Sequence, residues 1–250
     1  MRRRAFVTGM GGAMMWPLAA HAQQTENGPD APARSVTRIL VINPNSSQAT
    51  TDMMVRIAQS AASDGVEVIG ATATKSPRMI VDPAALTASA AEVVEIGMRL
   101  ASSVAGIIVS AFGDPGMRDL QARVGVPVVG IAESSMLEAA SGDRRFGVAT
   151  TTPELVAAID ARAAELGLAS LYTGVRLTSG DPVELARHPD DLTEALGKAV
   201  QACIDLDGAR AVIIGGGPLG NAATALTPRF AMPVIAPIPA AVRRVQRMVH

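Results

Sequence analysis

The chain has little of what most chemistry-bearing proteins rely on. It holds one cysteine, Cys203, three histidines, and only four Phe, one Trp and one Tyr in 250 residues. One cysteine makes neither an internal disulfide nor a thiolate-rich zinc site. Two of the histidines, His21 and His250, lie near the ends. Too few imidazoles remain for a histidine metal cluster or a Ser-His-Asp relay. No metal and no cofactor are therefore expected. Aromatics at 2% provide no stacking platform for single-stranded nucleic acid. The charge of −1 argues against a polyanion-binding surface, so no nucleic-acid partner is expected. What is present is an aliphatic chain, 48% hydrophobic, with 23 Gly and 16 Pro, long enough for one large domain or two small ones.

Residues 1–22 read as an export signal. Arg2, Arg3 and Arg4 precede a weakly apolar run from Ala5 to Leu18, and Ala20-His21-Ala22 forms a small-x-small cleavage pattern. Arg3-Arg4-Ala5-Phe6-Val7 resembles a twin-arginine signal. The alternative is a membrane anchor. The run is interrupted by Gly9, Gly11, Gly12 and Pro17 and is shorter than the roughly 20 residues a span needs. A periplasmic or secreted location follows, without stable membrane insertion after cleavage. Cleavage after Ala22 removes three arginines and no acid, taking the charge from −1 to −4. Residues 23–37, rich in Pro, Gln, Asn and Ala, read as a disordered tether.

Beyond the tether, short β-branched runs alternate with longer Ala/Leu/Met segments at helical spacing. Strands are expected at 38–42, 66–73, 105–109, 126–132, 146–150, 171–177, 211–214 and 234–235, with helices between them and a basic helix at the end. Their runs are apolar on both faces, which predicts an α/β fold with parallel sheets flanked by helices. Ligands in such folds lie beyond the carboxyl ends of the strands. The residues there are Asn43-Pro-Asn-Ser-Ser47, Ser110-Ala-Phe-Gly-Asp-Pro-Gly116, Ala132-Glu-Ser-Ser135, Thr150-Thr-Thr152 and Gly215-Gly-Gly-Pro-Leu219. Each stretch also has a plain reading as a turn or helix cap. Small hydroxyls, amides and bare N–H groups at helix starts are equally what binds a carboxylate or imide.

Together, Arg38 to Ser47, Phe112 to Gly116, Val128 to Glu133 and Phe146 to Thr151 resemble the aspartate/glutamate/hydantoin racemase superfamily, and within it the hydantoin racemases. The resemblance runs from about residue 38 to 245. It implies two similar lobes with the active site in the cleft between them. The N-terminal lobe would comprise residues 38–133 plus 233–250, and the C-terminal lobe residues 134–232. The family's chemistry uses two cysteines, one per lobe, which remove and return the substrate α-proton on opposite faces. Those positions here are Ala111 and Gly216, so a two-thiol mechanism is excluded. Cys203, on a helix face with Val200 and Ile204, reads as a buried core residue.

Asp114 and Glu133 are the remaining acid/base candidates, each with a plain alternative as a turn residue or a helix N-terminal acid. Ser110 is expected to face away from the site if the strand alternation continues through it. His188 reads as a surface loop residue. By the resemblance, Asn43, Asn45, Ser46, Phe112, Gly113, Thr150, Thr151, Gly216 and Gly217 would bind the substrate, a small carboxylate or hydantoin-like cyclic amide. Two functions stay open: a cofactor-independent, isomerase-like enzyme working without thiols, or a periplasmic binding protein without turnover. A homo-oligomer also stays open.

Overall fold

A computed structural model describes residues 36–249. The expected export segment and all but the last two residues of the expected tether lie outside the described residues. Of those two, Thr37 already belongs to the first strand, one residue earlier than the composition suggested.

Eight parallel strands form two four-stranded sheets. The first sheet holds β1 (Thr37–Asn43), β2 (Val66–Thr72), β3 (Gly106–Val109) and β4 (Val128–Gly130), in the order β2-β1-β3-β4. The second holds β5 (Phe146–Thr150), β6 (Tyr172–Leu177), β7 (Ala211–Ile214) and β8 (Val234–Ile235), in the order β6-β5-β7-β8. Nine α-helices are described: α1 (Gln48–Ala61), α2 (Pro83–Leu100), α3 (Met117–Gln121), α4 (Ile131–Ala139), α5 (Val156–Glu165), α6 (Pro182–Arg187), α7 (Pro189–Asp205), α8 (Gly220–Leu226) and α9 (Pro237–Val249).

The central strands are apolar on both faces because both faces are covered. Along β1, Ile39 and Val41 face a core shared by the two sheets, while Leu40 and Ile42 face a second core under α2 and α3. On the far side of the second sheet, Val212 and Ile214 pack with Leu196, Val200 and Cys203 of α7. Helices α1, α4 and α9 therefore form a shared middle layer, and residues from both sheets enter one continuous cluster there.

Two boundaries differ from the sequence reading. The chain returns to the first sheet only at α9, because Val234 and Ile235 pair with β7 in the second sheet. Residues 131 and 132 open α4 rather than ending a strand. The two-residue β8 is too short to carry a side-chain period, and Ile131-Ala132 is as apolar as the strand before it. Among the described residues no helix is long and apolar enough to cross a membrane.

Candidate active site

In each sheet the strand order reverses between the two central strands, β1 and β3 in the first, β5 and β7 in the second. A crevice forms where loops leave such a pair in opposite directions. Here both crevices open onto one cavity of about 70 Å³. The loop after β1 supplies Pro44 and Asn45 to its lining, the loop after β3 Ser110, Ala111 and Phe112, the last residue of β5 and the loop after it Thr150, Thr151 and Thr152, and the loop after β7 Gly215 to Leu219. Met79, Ile80, Leu86, Leu155 and Ile159 complete the apolar wall.

Asn45 is held by a small network. Its side-chain oxygen accepts from the Asn43 amide at 2.9 Å and from the Ser47 N–H at 2.9 Å. Asn43 in turn donates to Thr51 at 2.9 Å and accepts from the Asn45 N–H at 3.0 Å. Asn45, its oxygen spent on the bonds from Asn43 and Ser47, lines the cavity. Asn43 does not line the cavity; it orients the residue that does. Ser46 is off the wall as well, its N–H donating to the Pro77 carbonyl at 3.2 Å. Ser47 caps α1 by accepting from the Thr50 N–H, so the Asn-Pro-Asn-Ser-Ser stretch is both helix cap and cavity wall.

Across the cavity, the Thr150 hydroxyl donates to the Gly215 carbonyl at 2.7 Å and ties the β5 and β7 loops together. Among the described residues, no backbone hydrogen bond engages the N–H of Ala111, Phe112, Thr151, Thr152, Gly216 or Gly217. These unspent donors, with the Asn45 amide and the threonine hydroxyls, suit an anionic or carbonyl-rich ligand. Ser110 also lines the cavity. Its hydroxyl donates to the Met54 sulfur at 3.0 Å, in the core that Ile108 also enters, and its N–H donates to the Ile42 carbonyl at 2.9 Å, so the alternation of β3 carries through it.

The acid/base candidates lie elsewhere. Neither Asp114 nor Glu133 lines the cavity. Asp114 has no exposed side-chain surface and binds structure instead. Its carboxylate accepts from the N–H groups of Ala132 at 2.9 Å and Glu133 at 2.7 Å, at the start of α4, and pairs with Arg162 of α5 at 3.2 Å. Burial pushes this carboxyl up to about 6, against the Arg162 guanidinium and the two N–H donors that pull it down. Glu133 sits in the first turn of α4, where the helix dipole favours it, with Arg244 of α9 at 3.8 Å. The rest of the expected stretch, Ala132 to Ser135, is inside α4 and off the wall.

The Gly113-Asp114-Pro115-Gly116 motif is therefore structural in its acid and glycines. Asp114 adopts φ 52°, and Gly116 φ 71°, where a Cβ would strike the Ala90 carbonyl oxygen at 2.5 Å. Gly113, at φ 140°, is off the wall, and its missing Cβ leaves room for Leu86, which is on it. Gly130 leaves the space that the Asp114 carboxylate fills.

Where the resemblance places two thiols, the walls carry the methyl of Ala111 and the bare backbone of Gly216. Cys203 is buried in α7 at 3.8 Å from the Val148 carbonyl, and burial pushes its thiol up to about 12. His188 is exposed between α6 and α7. No Cys, His, Lys, Arg, Asp or Glu is among the residues lining the cavity. Among the described residues no group of His, Cys, Asp and Glu has metal-binding geometry.

The Asp/Glu/hydantoin racemase family matches residues 39–245. The chain belongs to this family. It is 26% identical over 215 residues to the hydantoin racemase of Paenarthrobacter aurescens, covering 85% of this chain and 91% of that one. The allantoin racemase from Klebsiella pneumoniae superposes with a TM-score of 0.81 at 27% identity, covering 85% of this chain and 87% of that one. Arylmalonate decarboxylase shares the fold, with a TM-score of 0.59 at 19% identity over 85% of this chain and 92% of that one. The family match spans both sheets and all four loops of the cavity.

Of the expected binding residues, Asn45, Phe112, Thr150, Thr151, Gly216 and Gly217 converge on the cavity, and Asn43, Ser46 and Gly113 stand behind it. The apolar wall was not foreseen. Leu155 and Ile159 carry the i, i+4 spacing of an ordinary buried helix face, and Met79-Ile80 lies in a Pro/Ser-rich loop with no distinguishing signal.

Proposed function

We propose that this chain is an exported member of the racemase family that binds a small carboxylate or cyclic amide, of the hydantoin or allantoin kind, without racemising it by two thiols. The observation that carries this reading is the cavity wall itself: neutral donors converge on it, and no titratable side chain does. Removing an α-proton needs an acceptor whose pKa lies within reach of neutral pH. Serine and threonine hydroxyls meet that need only beside a base, and the wall offers none. Binding asks for less. An imide or carboxylate presents oxygens to the free N–H groups and the Asn45 amide, and its carbon skeleton to Phe112, Leu155 and Ile159. A non-thiol isomerase is the second reading, favoured by the retained family framework. Export is supported by the arginines and the Ala-His-Ala pattern, which precede the matched region.

Thermal-shift measurements with 5-methylhydantoin, allantoin and small amino acids test the binding reading. A ligand at a hundredfold excess over Kd stabilises by about 2.7 kcal/mol, roughly 5–10 °C in a chain of this size. The ligand should be recovered from deuterated water without deuterium at its α-carbon. Deuterium incorporation would favour the enzyme reading, and no shift with any of these ligands would count against both. Replacing Arg3 and Arg4 by Lys should retain the protein in the cytoplasm; unchanged export would remove the twin-arginine reading.

A further inference from the structure

The acid of the Phe-Gly-Asp-Pro-Gly motif is the feature that ligand binding does not absorb. Asp114 lies two residues beyond Phe112, on the wall that the first sheet contributes. Arg162 lies three residues beyond Ile159, on the wall that the second sheet contributes. The two side chains pair at 3.2 Å with 0% and 6% of their surface exposed. The same Asp114 carboxylate accepts from the N–H groups of the second and third residues of α4, a helix of the shared middle layer. Arg162 is held from its other side too, donating to Glu165 at 3.1 Å, which Arg118 of α3 approaches at 3.3 Å. One carboxylate thus joins the β3 loop, α4 and α5, and it does so directly behind the ligand cavity.

We propose that Arg162 is a positioning residue: through Asp114 it sets the distance between the Phe112 wall and the Leu155–Ile159 wall, and so determines how tightly the cleft holds its ligand. The proposal rests on the reading that the cleft binds a small molecule. Without the guanidinium, α5 keeps its apolar anchors but loses its polar link to the opposite wall. A ligand must then draw the walls together at the expense of its own binding.

Hydrogen–deuterium exchange and ligand titration on Arg162→Met, Arg162→Lys, Asp114→Asn and the Arg162→Met/Asp114→Asn double variant test this. In Arg162→Met, peptides covering residues 110–117 and 151–160 should exchange at least tenfold faster together, while peptides in β1 and β7 keep wild-type protection. Binding of 5-methylhydantoin should weaken about tenfold. Asp114→Asn should do the same, and the double variant should be no worse than either single one, as expected when two residues act as a unit. Arg162→Lys keeps a cation and should fall between wild type and Arg162→Met, which reads the coupling even where the methionine variant does not fold. Unchanged exchange, exchange confined to α5, or faster exchange spread evenly over the chain would each overturn the proposal. If wild type binds no hydantoin, the binding reading fails, while the exchange data still decide whether the two walls are coupled.

Discussion

By the resemblance, Ala111 and Gly216 stand where the family carries its two thiols, and both line the cavity. A methyl group cannot carry a proton, and a glycine presents only backbone. If the framework around them is otherwise that of a racemase, restoring the thiols should restore α-proton exchange. The Ala111→Cys/Gly216→Cys variant is expected to incorporate deuterium into 5-methylhydantoin where wild type does not, read by NMR. Gly216 has φ 158°, which a side chain rarely adopts, and a Cβ there comes within 3.1 Å of Leu219, so both the backbone and that side chain must give. A correctly folded double variant with no exchange would show that the two positions do not flank the α-carbon. Cys203 makes the converse case. Its buried, neutral thiol should resist alkylation in the native protein and react on unfolding. Cys203→Ala should cost about 1 kcal/mol of stability, read by urea denaturation, and leave ligand affinity unchanged.

Helix α4 shows why an acidic motif and a glycine one strand away belong together. Asp114 replaces the missing N-terminal partners of the helix with its carboxylate, and that carboxylate occupies the space a side chain at Gly130 would need. Gly130 has φ −103°, an ordinary value, so packing rather than backbone freedom requires it. Gly130→Ala is therefore expected to destabilise by about 3 kcal/mol, whereas Gly125→Ala, with nothing within 4 Å of the added Cβ, should be close to neutral. Equal denaturation midpoints for the two variants would refute the steric account. The strands and helices themselves were legible from periodicity. The start of α4 was not, since Ile131-Ala132 is as apolar as the strand before it.

For the molecule as a whole, burying Asp114 gives stability a pH dependence with a definite sign. Its carboxyl keeps an ordinary value near 3.8 when unfolded and rises to about 6 when folded. The folded state thus holds the proton more tightly. The stabilisation from this group is complete below about pH 4 and is lost as the pH rises through 6. The stability difference between wild type and Asp114→Asn, followed by urea denaturation from pH 4 to 7, should therefore shrink with rising pH. A difference that stayed constant or grew would mean that Arg162 and the two N–H groups outweigh desolvation.

The alternation of apolar runs and helical segments is local, so the linear order of residues was enough to reveal two parallel sheets, the family and the buried place of Cys203. What brings Asn45, Ser110, Thr150 and Gly217 to one cavity is the reversal of strand order in each sheet, and pairing between strands far apart in the chain leaves no local trace. The roles of Asp114 and Arg162 depend likewise on a contact across 48 positions. Alone, a carboxylate after a strand reads as an acid beside a substrate. Three donors from two other elements make it a structural tie.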